Sequence, residues 1–267
     1  MKRASPVNRG SAYRIQVLDR AFGILKAIAE NGSDVGLAEL SARLGLHKST
    51  THRLLMVLEN DHFVERCPVS GKYHLGSRLI DLGQAALARL DVFELARPHL
   101  RELAEETAET AHLAVLRGGE VVSLVNAESR QTLRTPATVG TRSPAHCTSL
   151  GKTMLAFLPP EQVDEFLRQH VLEAYTRRTI TSPAKFRTEL RMIRERGYAV
   201  DNEEREEGLR CIGAPVRDHT GAVIAAVSIA GPAFRIRADR VSTLALSVVR
   251  AAAGISLSLG YRRQDRG

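Results

Sequence analysis

Along the first quarter of the chain, apolar positions follow helical spacing and then switch to alternation. In IQVLDRAFGILKAIAEN, Leu18, Phe22, Leu25 and Ala29 recur three or four residues apart and Asn31-Gly32 closes the run, predicting a first helix. GLAELSARLGL puts Leu37, Leu40 and Leu44 on one face of a second helix, with Gly45 where a left-handed residue lets the chain turn sharply. HKSTTHRLLMVLEND follows at once as a third. At about 100° per residue, Thr51, Leu54, Leu55 and Leu58 share one stripe, and Ser49, His52, Arg53 and Met56 share the opposite one. FVERCPVSGKYHLG then alternates as two short strands around a Pro-Val-Ser-Gly turn.

Beyond the hairpin the pattern is helical again. Leu79, Leu82, Ala86 and Leu90 fall at coiled-coil-like spacing, a break is expected near Asp91, and a second helix carries Pro98. The apolar stripe needs a partner, either a second copy or the rest of its own chain. From Ala111 the signal changes to strands: AHLAVLRGGEVVSLVNAES reads as a hairpin about Gly118-Gly119, QTLRTPATVGT as a further strand and loop, and LRCIGAPVRDHTGAVIAAVSIAGP as a pair turning at 219–221. Helices are expected at 149–158, 160–170 and 184–196, and RADRVSTLALSVVRAAAGISLSLG closes the chain. Strands and helices do not alternate strictly, which predicts an α+β domain with an antiparallel sheet flanked by helices. The expected organisation is a flexible basic arm at 1–14, a small helical domain with a hairpin at 15–76, a helical linker and dimer contact at 77–110, and a larger α+β domain at 111–262.

Charge adds a partner class to this picture. The 267 residues carry a net charge of +8, and residues 1–76 hold 11 Lys/Arg against 7 Asp/Glu while the remaining, much longer part holds 27 against 23. The excess is concentrated in the small domain, as suits a polyanionic partner. Three cysteines, Cys67, Cys147 and Cys211, stand far apart with no CxxC pair, which argues against a disulfide framework or zinc knuckle and for a reducing cytoplasm. The basic N-terminus lacks the apolar core of a signal peptide, and no uncharged apolar run is long enough to span a bilayer, so a cytoplasmic protein with no membrane partner is expected.

Two stretches carry candidate chemistry. The free face of the third helix bears Lys48, Ser49, Thr50, His52 and Arg53, groups able to reach base edges and phosphates in a major groove, and Lys72 and Tyr73 on the hairpin would contact the backbone. The alternative is a helix-turn-helix that docks another protein. In SPAHCTSLGKTMLAFLPP, Cys147 sits beside His146 at a helix start, where the dipole lowers a thiol pKa and a nucleophile would be plausible. No positioned third group and no GxSxG elbow accompany it, and close metal-ligand spacing is absent. Packing roles for both residues are the competing reading.

Taken in order, GLHKSTTHRLLMVLENDHFVER, the turn GKYHLG, HCTSLGK and RGYAVDNEEREEGLRCIGAPVRDHTGAVIAAVSIAGP resemble the IclR family of bacterial transcriptional regulators, a likeness running from about residue 15 to residue 260. The resemblance implies an N-terminal winged helix-turn-helix on double-stranded operator DNA, a helical linker, and a C-terminal GAF-like effector-binding domain. It further implies a homodimer or dimer of dimers, most often a repressor, controlled by a small organic acid or aromatic metabolite; some relatives hold a metal near this pocket, for which Cys147, Asp201 and Cys211 are the candidate ligands here, but without close ligand spacing no metal, cofactor or catalytic residue is expected. Carried over position by position, the effector contacts are the backbone of Ser149 and Leu150 and the side chains of Asp201, Cys211 and Ser228. Where members that bind small keto acids have a second hydroxyl, this chain has Ala230, which weighs against a glyoxylate-like or pyruvate-like ligand.

Overall fold

The computed structural model describes residues 15–87, 92–135 and 138–262. The arm at 1–14, Leu90, the break at Asp91 and the side chain of Ala86 lie outside the described residues. The chain forms two compact units that divide between Arg89 and Leu90.

The first unit contains α1 (Gln16–Asn31), α2 (Leu37–Leu44), α3 (Lys48–Asn60), the hairpin β1 (Val64–Arg66) and β2 (Tyr73–Leu75), and α4 (Arg78–Leu87). Its core is Ile24, Ala27 and Ile28 of α1, Leu40 of α2, Leu55 of α3, and Val35, Val64 and Tyr73. Gly45, at φ 62°, ends α2 so that the backbone turns directly into α3. On α3 the division into two faces holds: Thr51 and Leu55 are buried while Ser49, His52, Arg53 and Met56 are exposed. On α1 it does not, because Leu18 and Phe22 are about half exposed and the buried stripe is Ile24, Ala27 and Ile28. This helix is apolar on two faces, and spacing alone does not say which of them packs on α2 and α3. Ile15, Leu18 and Phe22, and Ile80 and Leu82 of α4, are left as exposed apolar side chains.

Tyr73 requires a correction. It is 4% exposed, opposite Arg66 in the hairpin, and exchanges two 2.9 Å backbone hydrogen bonds with Val35. Alternation along the strand sends Tyr73 into the core and leaves its neighbour Lys72 outside. A tyrosine buried there is a core residue and has no surface to offer a phosphate.

The second unit opens with α5 (Val92–Thr107), followed by β3 (Thr110–Arg117), β4 (Glu120–Ala127) and β5 (Arg142–Pro144). A 3-10 turn at Ala145–Cys147 leads into α6 (Ser149–Ala156), α7 (Pro160–Gln169) and α8 (Pro183–Arg196). Then come β6 (Ala199–Asn202), β7 (Leu209–Arg217), β8 (Val223–Pro232) and α9 (Val241–Ser258). The six strands make one antiparallel sheet in the order β5-β4-β3-β8-β7-β6. Strand alternation divides the side chains between two layers. Leu113, Ile212, Val227 and Ile229 face α5 and α9 in one core, whereas Ala114 and Ala226 face α6, α7 and α8 in the other.

Three features depart from the sequence pattern. The segment 131–135 is not a strand: Thr110 Oγ1 donates to Thr135 O and Thr135 Oγ1 donates to Ala230 O, so side chains take the place of a ladder. The strand that does form nearby is β5, which begins at Arg142, immediately after the predicted stretch ends. The four-residue edge strand β6 is also present. Pro98, by contrast, lies within a helix as the pattern predicts, and that helix, α5, contributes Ala96, Leu100, Leu103 and Ala104 to the second unit's core. Finally, α9 has the length and composition to cross a membrane, but Leu244, Val248, Ala252 and Ile255 pack into that same core.

Candidate effector cavity and nucleic-acid face

Two alternate rungs of the sheet, two residues apart on each strand and so on one face, form a polar floor. In one rung Asn126, His112, Ser228 and Gly213 stand side by side across β4, β3, β8 and β7. In the other, Thr110, Ala230, Cys211 and Asp201 cross β3, β8, β7 and β6. Residues two apart on a strand share a face, so His112, Ser228 and Cys211 point the same way. The N-terminus of α6 is seated against this floor because Gly213 has no Cβ; one there would lie 2.9 Å from Ser149 O. Gly151 has the same function within the turn, where a Cβ would meet Ala145 O at 2.2 Å. These contacts leave α6 lying close to the sheet.

Between floor and helix is a cavity of about 170 Å³. Ser149, Leu150, Asp201, Cys211 and Ser228, drawn from three distant segments, all line it. Thr148 caps α6 by accepting from Gly151 N at 3.1 Å, while the amides of Ser149 and Leu150 have no partner among the described residues. Two free amides at a helix start form an anion site. The cavity also has walls that motif matching did not supply: His112 and Ser123 from β3 and β4, Thr135 and Thr138 from the loop after β4, and Arg205 at the start of the segment leading into β7. For His112 the sequence signal was a polar residue two after Thr110 in TAHLAVLR, on the same face; Thr135, Thr138 and Arg205 lie outside the strands, where alternation gives no signal.

Burial controls the ionisation of this site. The Asp201 carboxyl is 1% exposed and burial pushes its pKa up to about 7, against two hydrogen bonds to Oδ1 from the amides of Glu204 (2.8 Å) and Arg205 (3.4 Å). Because the folded value lies above the ordinary carboxylate value of 3.8, the native state retains a proton that the unfolded chain releases. Its contribution to stability is therefore complete in acid and is lost as pH rises towards 7. Asp201→Asn is accordingly expected to change the melting temperature little at pH 4 and to raise it by a few degrees at pH 8. An equal effect at both pH values in a thermal scan would sink that assignment.

Neither thiol here is a nucleophile. Burial, reinforced by Asp201, pushes Cys147 up to about 12 and Cys211 well above its ordinary value. His146, its own pKa lowered by burial, bonds through Nε2 to Glu173 O at 2.9 Å. Cys67 differs: hydrogen bonds from Ser70 lower its pKa and it is partly exposed. Iodoacetamide at neutral pH should therefore label Cys67 well ahead of Cys147 by mass spectrometry, and preferential labelling of Cys147 would revive the thiol enzyme. Among the described residues no group of three His, Cys, Asp or Glu side chains is placed to hold a metal ion.

Behind the cavity, α6 sends Lys152 into the interior. It is 1% exposed, donates through Nζ to Val200 O at 2.6 Å, pairs with Glu204 Oε1, and has Glu189 Oε1 at 3.7 Å. Glu204 is also the residue whose amide bonds Asp201, so the ion pair and the cavity carboxyl are held by one short segment.

In the first unit, the exposed side of α3 presents Lys48, Ser49, His52 and Arg53, with Thr50 half-buried at its margin, and Lys72 is exposed on the hairpin. Lys48, Arg53 and Lys72 make no ion pair among the described residues. Unpaired cations on a helix that docks by its other face are what a major-groove reader needs.

Known proteins resemble this chain in both units. A family profile described as "IclR helix-turn-helix domain" matches residues 17–68, and one described as "Bacterial transcriptional regulator IclR C-terminal" matches residues 84–257. The HTH-type transcriptional regulator BhcR of Paracoccus denitrificans is 38% identical over 98% of this chain and 93% of its own. The transcriptional repressor IclR of Escherichia coli is 36% identical over 94% and 92%. Among solved structures, the Agobacterium tumefaciens repressor BlcR superposes with a TM-score of 0.80 at 30% identity, over 94% of this chain and all of that one.

Proposed function

The chain belongs to the IclR family of bacterial transcriptional regulators, and on that premise we propose that it is a cytoplasmic repressor that binds a pseudo-palindromic double-stranded operator as a homodimer or dimer of dimers and responds to a small organic acid or aromatic metabolite. It is a regulator of transcription and not an enzyme. The DNA contacts are Lys48, Ser49, Thr50, His52, Arg53 and Lys72, with Tyr73 withdrawn to the core. The effector contacts are the amides of Ser149 and Leu150 and the side chains of Asp201, Cys211 and Ser228. The helical stretch 77–110 supplies dimer contact through α4, whose exposed Ile80 and Leu82 join the unburied apolar stripe of α1 as surface suited to a second copy.

The observation that carries the effector reading is the pair of unpartnered amides at the start of α6, facing a cavity whose opposite wall holds Asp201, Cys211 and Ser228. A carboxylate accepts from the amides, and Asp201 in its protonated form donates to a ligand oxygen. Ser149→Pro tests this directly. Position 149 is the first of the helix, where proline is tolerated, and Thr148 before it is already extended at φ −121°, ψ 147°. Organic acids are screened for stabilisation of the chain and release of an operator selected from random DNA. The active acid is expected to lose about tenfold or more in affinity on the proline variant, while operator affinity without effector is unchanged. A screen in which no metabolite alters both stability and operator affinity would instead leave a constitutive DNA binder.

A further inference from the structure

The polar floor holds one group whose hydrogen bonding does not close. His112 Nδ1 and Ser123 Oγ each lie 2.9 Å from Asn126 Oδ1, while Asn126 Nδ2 is buried with no partner. That arrangement satisfies the amide oxygen twice and leaves two N–H donors unmet. A carboxamide has a second orientation at such a site, and hydrogen bonding decides between the two. Turned over, Asn126 Nδ2 donates to both His112 Nδ1 and Ser123 Oγ, and only one carbonyl lacks a protein partner. The consequences pass to the neighbours. Burial keeps the His112 ring neutral, so an Nδ1 that accepts from Asn126 requires the proton on Nε2. Ser123, its oxygen now accepting, has its own hydrogen free. Both side chains line the cavity, and Nε2 has no partner among the described residues.

We propose that His112 Nε2–H and Ser123 Oγ–H, set by Asn126, form a second donor pair facing the cavity, and that with the Ser149 and Leu150 amides they select a short dicarboxylate, an acid with acceptors at both ends. This rests on the cavity being the effector site. It narrows the ligand from organic acids in general to those that occupy two separate donor sets, and Arg205, lining the same space, adds a cation to a doubly charged ligand's surroundings. The charged groups that line the cavity with His112 are Asp201 and Arg205.

Two measurements on the full chain test it. In protein labelled with 15N-histidine, long-range 1H–15N spectra at neutral pH, with His112→Gln to assign the ring, are expected to show the neutral Nε2–H tautomer. The Nδ1–H tautomer or an imidazolium overturns the donor pair whatever binds. Calorimetric titration with succinate against butyrate, which replaces one carboxylate by a methyl group, is expected to show succinate at least about tenfold tighter, a preference that His112→Phe erases and Ser123→Ala reduces. Ser123→Ala leaves the ring in place and serves where the His112 variants do not fold. Equal affinity for succinate and butyrate, or a preference that survives both variants, overturns the ligand class. Release of operator by some other acid would in either case leave the effector reading standing, since the Ser149→Pro comparison decides that separately.

Discussion

Lys152→Met is expected to destabilise the second unit by about 3–5 kcal/mol, lowering its melting temperature by on the order of 10 °C. The cost comes from what remains: Glu204, itself buried, is left without its cation partner, and Val200 O loses its donor. Its Oε2 already lacks a hydrogen-bond partner, so nothing nearby is ready to compensate. Adding Glu204→Gln to Lys152→Met removes the stranded charge and is expected to restore much of the loss, because a buried pair replaced on both sides is often close to neutral. Circular dichroism melts of the three proteins measure this cycle directly. Single variants within about 1 kcal/mol of wild type would mean that Lys152 and Glu204 are solvated in the native state. Since Glu204 also presents its amide to Asp201, the single variant should in addition weaken effector binding.

Arg53→Ala is expected to lower affinity for the selected operator by roughly ten- to a hundredfold and to relax sequence preference at one position in each half-site, the effect of losing one base-edge contact. Arg53 is exposed on the face of α3 opposite Leu55 and has no ion pair to give up, so the unit should keep its stability. Lys72→Ala serves as the comparison: a phosphate contact weakens all sequences alike and reduces the salt slope by about one. Tyr73→Phe should leave both affinity and slope unchanged, as befits a ring in the core. Fluorescence anisotropy across a salt series separates the three. Undiminished binding by Arg53→Ala would remove α3 from the role of recognition helix.

The order of helices, the sharp turn at Gly45 and the two faces of α3 were legible in the sequence because each depends on spacing within one helix. So was the helix start at Ser149, whose unpaired first-turn amides follow from helix geometry. Pairings between strands were not. Tyr73 and Lys72 are neighbours in sequence and opposites in space, and only contact with Val35 decided which of them is inside. On α1, two apolar stripes were available, and docking against α2 and α3 selected Ile24, Ala27 and Ile28 over Leu18 and Phe22.

The cavity shows the same division. Resemblance to a family supplied Ser149, Leu150, Asp201, Cys211 and Ser228 one by one, but the register of β3 against β4 and β8 brought His112, Ser123 and Asn126 to the same floor. A histidine in a strand has no stated tautomer, and a carboxamide no stated orientation, until a particular neighbour accepts or donates. Sequence by itself determined the helices, the longer strands and the residues able to do chemistry, because local spacing and side-chain type are written in it. The tertiary structure alone decided which stripes are buried, which carboxyl has its pKa raised and which polar side chains line the cavity, because burial and hydrogen bonding are set by residues far apart in the chain.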